Sequence, residues 1–308
     1  MIKIKNLMFF LISILVIMMI AINFDVIATR VKDILRIHPE LVIKEGNKFK
    51  KDDSFLFVKQ VSSYEPNNYN DLKNIFYSVL NQGWNEFTFY CPIEYNDCLS
   101  DVAQISYDKV LLSNINNFVN PYNSYTSIRI LYDETGEVTI KVSHLYSEDE
   151  IKRIDTEINN IINNVTNEKM SLRDKILALH DYIINNTKYD IDRANSTDNS
   201  SQYDSARILG VLDDHYAICS GYADIMAVML EKLDVPNYKI SSDTHVWNAL
   251  YLDGKWWHLD LTWDDPISPS GKDILDHSYF IIDNDTLMKL DEDIEDHIFD
   301  SNVYLEFN

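Results

Sequence analysis

The pair Asp253-Gly254 is the feature that most constrains this chain. Asp-Gly between two alternating runs is a strong hairpin signal, because a type I′ turn needs positive φ at both central residues and these two tolerate it. Before it lies His245-Val246-Trp247-Asn248-Ala249-Leu250-Tyr251-Leu252, and after it Lys255 to Trp263, each alternating like a half-buried strand. A two-residue turn sets the register. Leu252 faces Lys255 and, counting back, Trp247 faces Asp260 and His245 faces Thr262. Alternation then puts His245, Trp247, Ala249 and Tyr251 on one face with Trp256, His258, Asp260 and Thr262. His245 and Asp260 become diagonal neighbours, about 7–8 Å apart at the backbone, within reach of a shared hydrogen bond. A bulge in either strand would break this expectation.

Cys219 stands in Ala217-Ile218-Cys219-Ser220-Gly221-Tyr222-Ala223-Asp224. Tyr222, Ile225, Met226, Met229, Leu230 and Leu233 follow at helical period and stop near Pro236. The thiol therefore sits at, or one residue inside, a helix N-terminus, where free amides and the macrodipole favour the thiolate. Ser220 and Gly221 are small, which would let a substrate backbone approach. An inert buried cysteine fits this segment equally well. The imidazole and carboxylate downstream break the tie: Asp260 would fix the His245 tautomer and stabilise its imidazolium, and His245 would activate Cys219.

Three separated motifs now agree in order and spacing. Cys219-Ser220-Gly221-Tyr222-Ala223, then Thr244-His245-Val246-Trp247-Asn248, then Trp256-Trp257-His258-Leu259-Asp260-Leu261-Thr262-Trp263-Asp264-Asp265-Pro266 resemble the bacterial transglutaminase-like domain. This is the branch of the papain-like thiol enzymes with active residues in the order Cys, His, Asp. His180-Asp181-Tyr182-Ile183-Ile184, Lys188-Tyr189-Asp190 and Ser205-Ala206 resemble its usual lead-in, so the likeness covers about residues 165–268. It implies an α+β fold, with the Cys219 helix packed on an antiparallel sheet carrying His245 and Asp260. It also implies Cys219 as nucleophile, His245 as general base and acid, Asp260 as orienting carboxylate, and no cofactor. The implied reaction is acyl transfer through a Cys thioester on protein or peptide amides, ending in hydrolysis or cross-linking. A non-catalytic surface module on the same fold is the competing function.

Other polar residues read as structural. His258 lies on the triad face as a packing residue, His180 and His215 are structural or surface histidines, and His144 sits on a strand surface. Trp247, Trp256, Trp257 and Trp263 are expected to form core and cleft walls. The oxyanion donor is the Cys219 amide, with the Tyr203 hydroxyl as a second candidate. A metal site on Cys219, His245 and Asp260 ranks low, because no second Cys or His falls at ligand spacing. Asp291-Glu292-Asp293-Ile294-Glu295-Asp296 reads as a solvated face, and Asp283-Asn284-Asp285 lacks the glycine and closing glutamate of a calcium loop.

Charge narrows the partners. Basic residues number 27 against 49 acidic ones, a formal net charge of -22, which disfavours nucleic acid. Lys3 and Lys5 precede an apolar run from Leu7 to Ile22 broken only by Ser13, the pattern of a signal peptide or, better, an uncleaved signal anchor. The lysines would stay inside, leaving the rest of the chain outside the membrane. Of the three cysteines, Cys91 and Cys98 are near enough in sequence to pair, leaving Cys219 odd.

The expected layout is an anchor or signal peptide at 1–29, a basic linker at 30–50, a small α/β region at 51–146 and the transglutaminase-like domain at 147–308. In the α/β region, Phe55 to Val58 and Phe87 to Tyr90 read as strands around a helix bearing Leu72, Ile75, Phe76, Val79 and Leu80. Ile128 to Tyr132 and Val138 to Val142 flank a turn at Gly136. Ser147 with Glu150 is a capping-box signature opening a helix whose one face carries Ile151, Ile154, Ile158, Ile161, Ile162 and Val165. A second helix begins at Ser171 with Asp174, and residues 192–205 form a polar loop. Oligomeric state is not readable.

Overall fold

The structure, a computed structural model, describes residues 12–14, 16–24, 27, 31, 40–195, 202–266, 274–291 and 295–308. Among them, no helix is long and apolar enough to cross a membrane. Part of the N-terminal apolar run, residues 7–11 and 15, lies outside the described residues. Its described part, 12–14 and 16–22, is helical, with Ile17 and Met19 exposed.

The chain is a mixed helix-and-sheet fold. Helix α1 (Tyr69–Asn81) is followed by β1 (Glu86–Tyr90), α2 (Cys98–Tyr107) and α3 (Lys109–Asn117). Strands β2 (Tyr125–Tyr132) and β3 (Glu137–His144) form the expected hairpin, and β3 lies between β1 and β2 in an antiparallel sheet. Cys91 and Cys98, seven positions apart, form a disulfide leading into α2. Residues 55–58 are not a strand. Their neighbourhood is held by side chains: Asn74 and Ser78 of α1 accept from the amides of Lys59 and Val61, and Glu306 accepts from that of Leu56. Phe55 and Val58 are buried without strand partners, three positions apart, so this apolar run packs into the core without joining a sheet.

Helix α4 (Glu148–Val165) opens with the complete capping box of Ser147 and Glu150. Helix α5 (Leu172–Asn186) opens with the equivalent box of Ser171 and Asp174. Each reciprocal pair satisfies two amides left free by the helix start, which is why both starts are legible. Two-residue strands β4 (Lys188–Tyr189) and β5 (Tyr216–Ala217) pair in parallel just ahead of helix α6 (Cys219–Lys232). Strands β6 (Asn237–Ser241), β7 (Val246–Leu252) and β8 (Lys255–Leu259) form an antiparallel sheet in that order, with α6 packed on β6 and β7. A short helix, α7 (Asn284–Leu290), precedes the C-terminal segment.

The hydrophobic core crosses residue 147. Phe55 packs edge-on to Tyr238 of β6, Phe118 lies 4.7 Å from the Tyr238 ring, and Asn117 donates to Ser241 and Tyr304. The N-terminal region thereby closes the back of the β6–β8 sheet. Lys51, next to the basic linker, is buried, with its ammonium 2.7 Å from Glu231 and 2.5 Å from the Asn237 carbonyl. A cation beside the last turn of α6 complements the helix dipole and pins the helix that bears the thiol.

Candidate active site

The hairpin forms in the expected register. Leu252 pairs with Lys255, Tyr251 with Trp256, Leu250 with Trp257, Ala249 with His258 and Asn248 with Leu259. Asp253 has φ +53° and Gly254 φ +86°, as a type I′ turn requires. The ladder stops at Leu259, so the next opposed pairs do not form. Asp260 instead gives its amide to the Tyr279 carbonyl, and its Oδ1 accepts from the amides of Thr262, at 2.8 Å, and Trp263, at 3.3 Å. That turn locks one carboxylate oxygen and aims the other at His245. Nε2 of His245 lies 2.5 Å from Asp260 Oδ2.

Cys219 is the first residue of α6, after extended Ile218. The amides of Gly221 and Tyr222 go to the Ile218 carbonyl, while those of Cys219 and Ser220 precede any acceptor within the helix. The thiol, half-buried, interacts with the His245 ring. Asp260 occupies Nε2, and Nδ1 lies 3.9 Å from Asp296 Oδ2. Burial opposes an imidazolium at His245, yet the Asp260 charge, its hydrogen bond and the Cys219 sulfur outweigh it and hold His245 well above its ordinary value. Burial likewise pushes Asp260 up, but the charges and hydrogen bonds of His245 and His297 keep it well below the usual carboxylate range. The structure thus brings together a thiol, an imidazole that favours its charged form and an ionised carboxylate.

Gly221 corrects one expectation. It does not face a substrate path. A Cβ there would lie 2.5 Å from the Ser205 carbonyl oxygen, 3.2 Å from Ala217 Cβ and 3.3 Å from the Arg207 carbonyl. Ser220 also turns inward, donating to the Ala206 carbonyl at 3.0 Å. Both residues are small because the helix start packs directly on the 205–207 backbone. Gly221→Ala should cost about 1–3 kcal/mol of stability, since backbone rather than a flexible side chain must move. An unchanged denaturant midpoint would contradict that close approach.

The remaining polar residues sort themselves around this centre. His258 is buried, its Nδ1 accepts from Trp247 Nε1 at 3.1 Å, and burial with the His297 charge pushes it down to about 3. It packs, as expected. His180 is buried, with Nε2 3.1 Å from Asp264 and Nδ1 2.9 Å from Asp181. His215 takes φ +58° and presents its carbonyl to the Lys188 amide. His144 ends β3, half-buried and lining a groove with Tyr122 and Tyr146. Trp247 stacks on His245 with centroids 5.7 Å apart, and Trp263 donates to Asp296. Trp256 and Trp257 lie away from the site, against Tyr238 and beneath Lys255 respectively. Tyr203 stacks on Tyr216 at 4.1 Å.

Four further residues lie near the site. Tyr189 is half-buried near Cys219, pushed up to about 12 by burial and then by the charges of Cys219, Asp296 and Asp260, so its hydroxyl keeps its proton. The acidic stretch is not simply a solvated face. Residues 292–294 lie outside the described residues, but Asp291 is buried on His297, and Asp296 accepts from Thr244 and Trp263 with Oδ2 3.9 Å from His245 Nδ1. His297 is wholly enclosed, with Nε2 2.9 Å from Asp260 Oδ2. It supplies the second histidine that ligand spacing in the sequence did not reveal, and His245, Asp260 and His297 offer donor atoms mutually within 4.8 Å. Both imidazoles hydrogen-bond the same oxygen, Asp260 Oδ2. For Asp291, Asp296 and His297 the one signal in the sequence was their place in, or just after, the acidic stretch.

Comparison with known proteins agrees with this organisation. No curated protein matches the chain. Among solved structures, one described as the crystal structure of a TGase has 20% identity and a TM-score of 0.35, over 45% of this chain and 44% of that one. Another, described as a candidate cysteine protease from Cytophaga hutchinsonii, has 14% identity and a TM-score of 0.27, over 48% and 65%. The chain thus spans less than half the length of the TGase structure. A family profile, Transglutaminase-like superfamily, matches residues 159–261, which run from α4 through Cys219 and His245 to one residue past Asp260. In that segment, the chain carries a transglutaminase-like superfamily domain.

Proposed function

We propose that this protein is a thiol enzyme that transfers acyl groups from protein or peptide amides through a thioester on Cys219, with water as the acceptor, at the cell envelope. The observation that carries the reading is the Nε2–Oδ2 contact of 2.5 Å between His245 and an ionised Asp260, with the Cys219 thiol interacting with the same ring. The Cys219 thiolate attacks the carbonyl carbon, forming the C–S bond. The oxyanion is met by the amides of the first turn of α6. Collapse breaks the C–N bond while His245 gives its proton to the departing amine. Neutral His245 then takes a proton from water, hydroxide attacks the thioester, and C–S cleavage restores the thiolate beside the imidazolium. A lysine amine in place of water would give a cross-link by the same steps.

Two features support the location. A basic start precedes an apolar run at the N-terminus, and the Cys91–Cys98 disulfide suits an oxidising compartment. The test is mass spectrometry of cell-envelope proteins incubated with the protein and with Cys219→Ala. New peptide termini or deamidated glutamines dependent on Cys219 are expected. Isopeptide links would make the acceptor an amine, and no Cys219-dependent product would remove the enzymatic reading.

A further inference from the structure

His297 lies 37 residues beyond Asp260, yet its Nε2 reaches the same Oδ2 that His245 Nε2 engages. Its other nitrogen, Nδ1, is 3.0 Å from Asp291 Oδ1. Asp291 also accepts the amides of Asp296, at 3.1 Å, and His297, at 3.0 Å, so the loop clamps the ring from behind. The ring stacks on Tyr279 at 5.3 Å and meets Trp247 and His245 edge-on at 4.9 and 5.3 Å. A polar ring buried like this is costly unless both nitrogens are matched, and an apolar side chain would fill the space more cheaply. The matching, rather than the filling, distinguishes this position.

An ionised carboxylate only accepts, so His297 Nε2 must carry its proton toward Asp260. Asp260 then receives four donors: two backbone amides on Oδ1 and two imidazoles on Oδ2. We propose that His297 is a positioning residue of the triad, holding Asp260 Oδ2 in the orientation that engages His245. The proposal rests on the catalytic reading of Cys219, His245 and Asp260. Without His297, Oδ2 has His245 as its sole imidazole donor, and only the two amides on Oδ1 hold the carboxylate against movement of the ring. The titratable groups facing His297 are Asp260, His245 and His258 from the hairpin, Tyr279 from the segment beside it, and Asp291 and Asp296 from its own.

The test is the pH dependence of Cys219 alkylation by iodoacetamide in the full chain. His297→Leu should slow alkylation near neutral pH by about 3- to 10-fold, short of the roughly 30-fold that separates a full thiolate from an ordinary thiol. It should also move the acid limb up toward that of a free thiol. His297→Gln keeps an amide donor toward Asp260 and should recover most of the rate. Asp291→Asn leaves the ring in place while weakening its clamp, and should shift the limb in the same direction by less. An unchanged rate and limb in His297→Leu would overturn the proposal, as would equal losses in the Leu and Gln variants with an unmoved limb, which mark a packing residue. If the unmodified chain alkylates no faster than a free thiol, the triad reading fails first and this inference with it.

Discussion

Replacing His245 with Ala should slow alkylation of Cys219 near neutral pH by about 30-fold, because an ordinary thiol is only a few per cent thiolate there. The sign follows from the direction of the His245 shift. Its charged form is held well above the ordinary imidazole value by Asp260 and by the sulfur, so an imidazolium stands beside the thiol throughout the neutral range. A thiolate is favoured for as long as that cation persists, and reactivity should survive on the acid side of neutrality. In His245→Ala the cation is gone, and the acid limb should move to that of an ordinary thiol, with a midpoint of about 8.5. Asp260→Asn keeps the ring but removes the buried charge that stabilises it, so its limb should fall between the two. A limb identical in all three proteins would mean that Cys219 is a bystander.

The second large effect is on stability. Trp247→Ala should cost about 3–5 kcal/mol, measured by denaturant unfolding, because its fully buried ring leaves a cavity that the sheet cannot close. The loss is also chemical. Trp247 supplies the donor to His258 Nδ1, and removing it strands a buried acceptor, worth about 1–3 kcal/mol. Trp247→Phe isolates that part, since the ring stays and the donor goes, and should cost about 1–3 kcal/mol. The indole also lies under His245 and edge-on to His297, so the Ala variant should loosen both imidazoles. A cost below about 1 kcal/mol for Trp247→Ala would show that the packing beneath the site is not as described.

Legibility followed the range of the interactions. The capping boxes at Ser147 and Ser171 close over three residues, and the Asp253-Gly254 turn over two, so each leaves its whole signature in a short window. Residues 55–58 misled because four apolar residues in a row suit a strand, while the amides nearby found side-chain acceptors on α1 and at Glu306. Gly221 misled in another way: a small residue beside a nucleophile suits substrate approach, but here it makes room for the Ser205 backbone.

By itself the sequence determined the hairpin and its register from Asn248 to Leu259. It also placed Cys219 at a helix start. All of these depend on local backbone geometry, on period two, period 3.6 and the φ preferences of Asp and Gly. Tertiary structure alone decided what surrounds the triad. Lys51 reaches β6 across 186 positions, His297 reaches Asp260 across 37, and Asp296 reaches Thr244 across 52. No periodicity encodes such meetings, because they arise from how the C-terminal segment and the N-terminal region fold onto the sheet. Asp260 was legible as the partner of one histidine, and the fold makes it the partner of two.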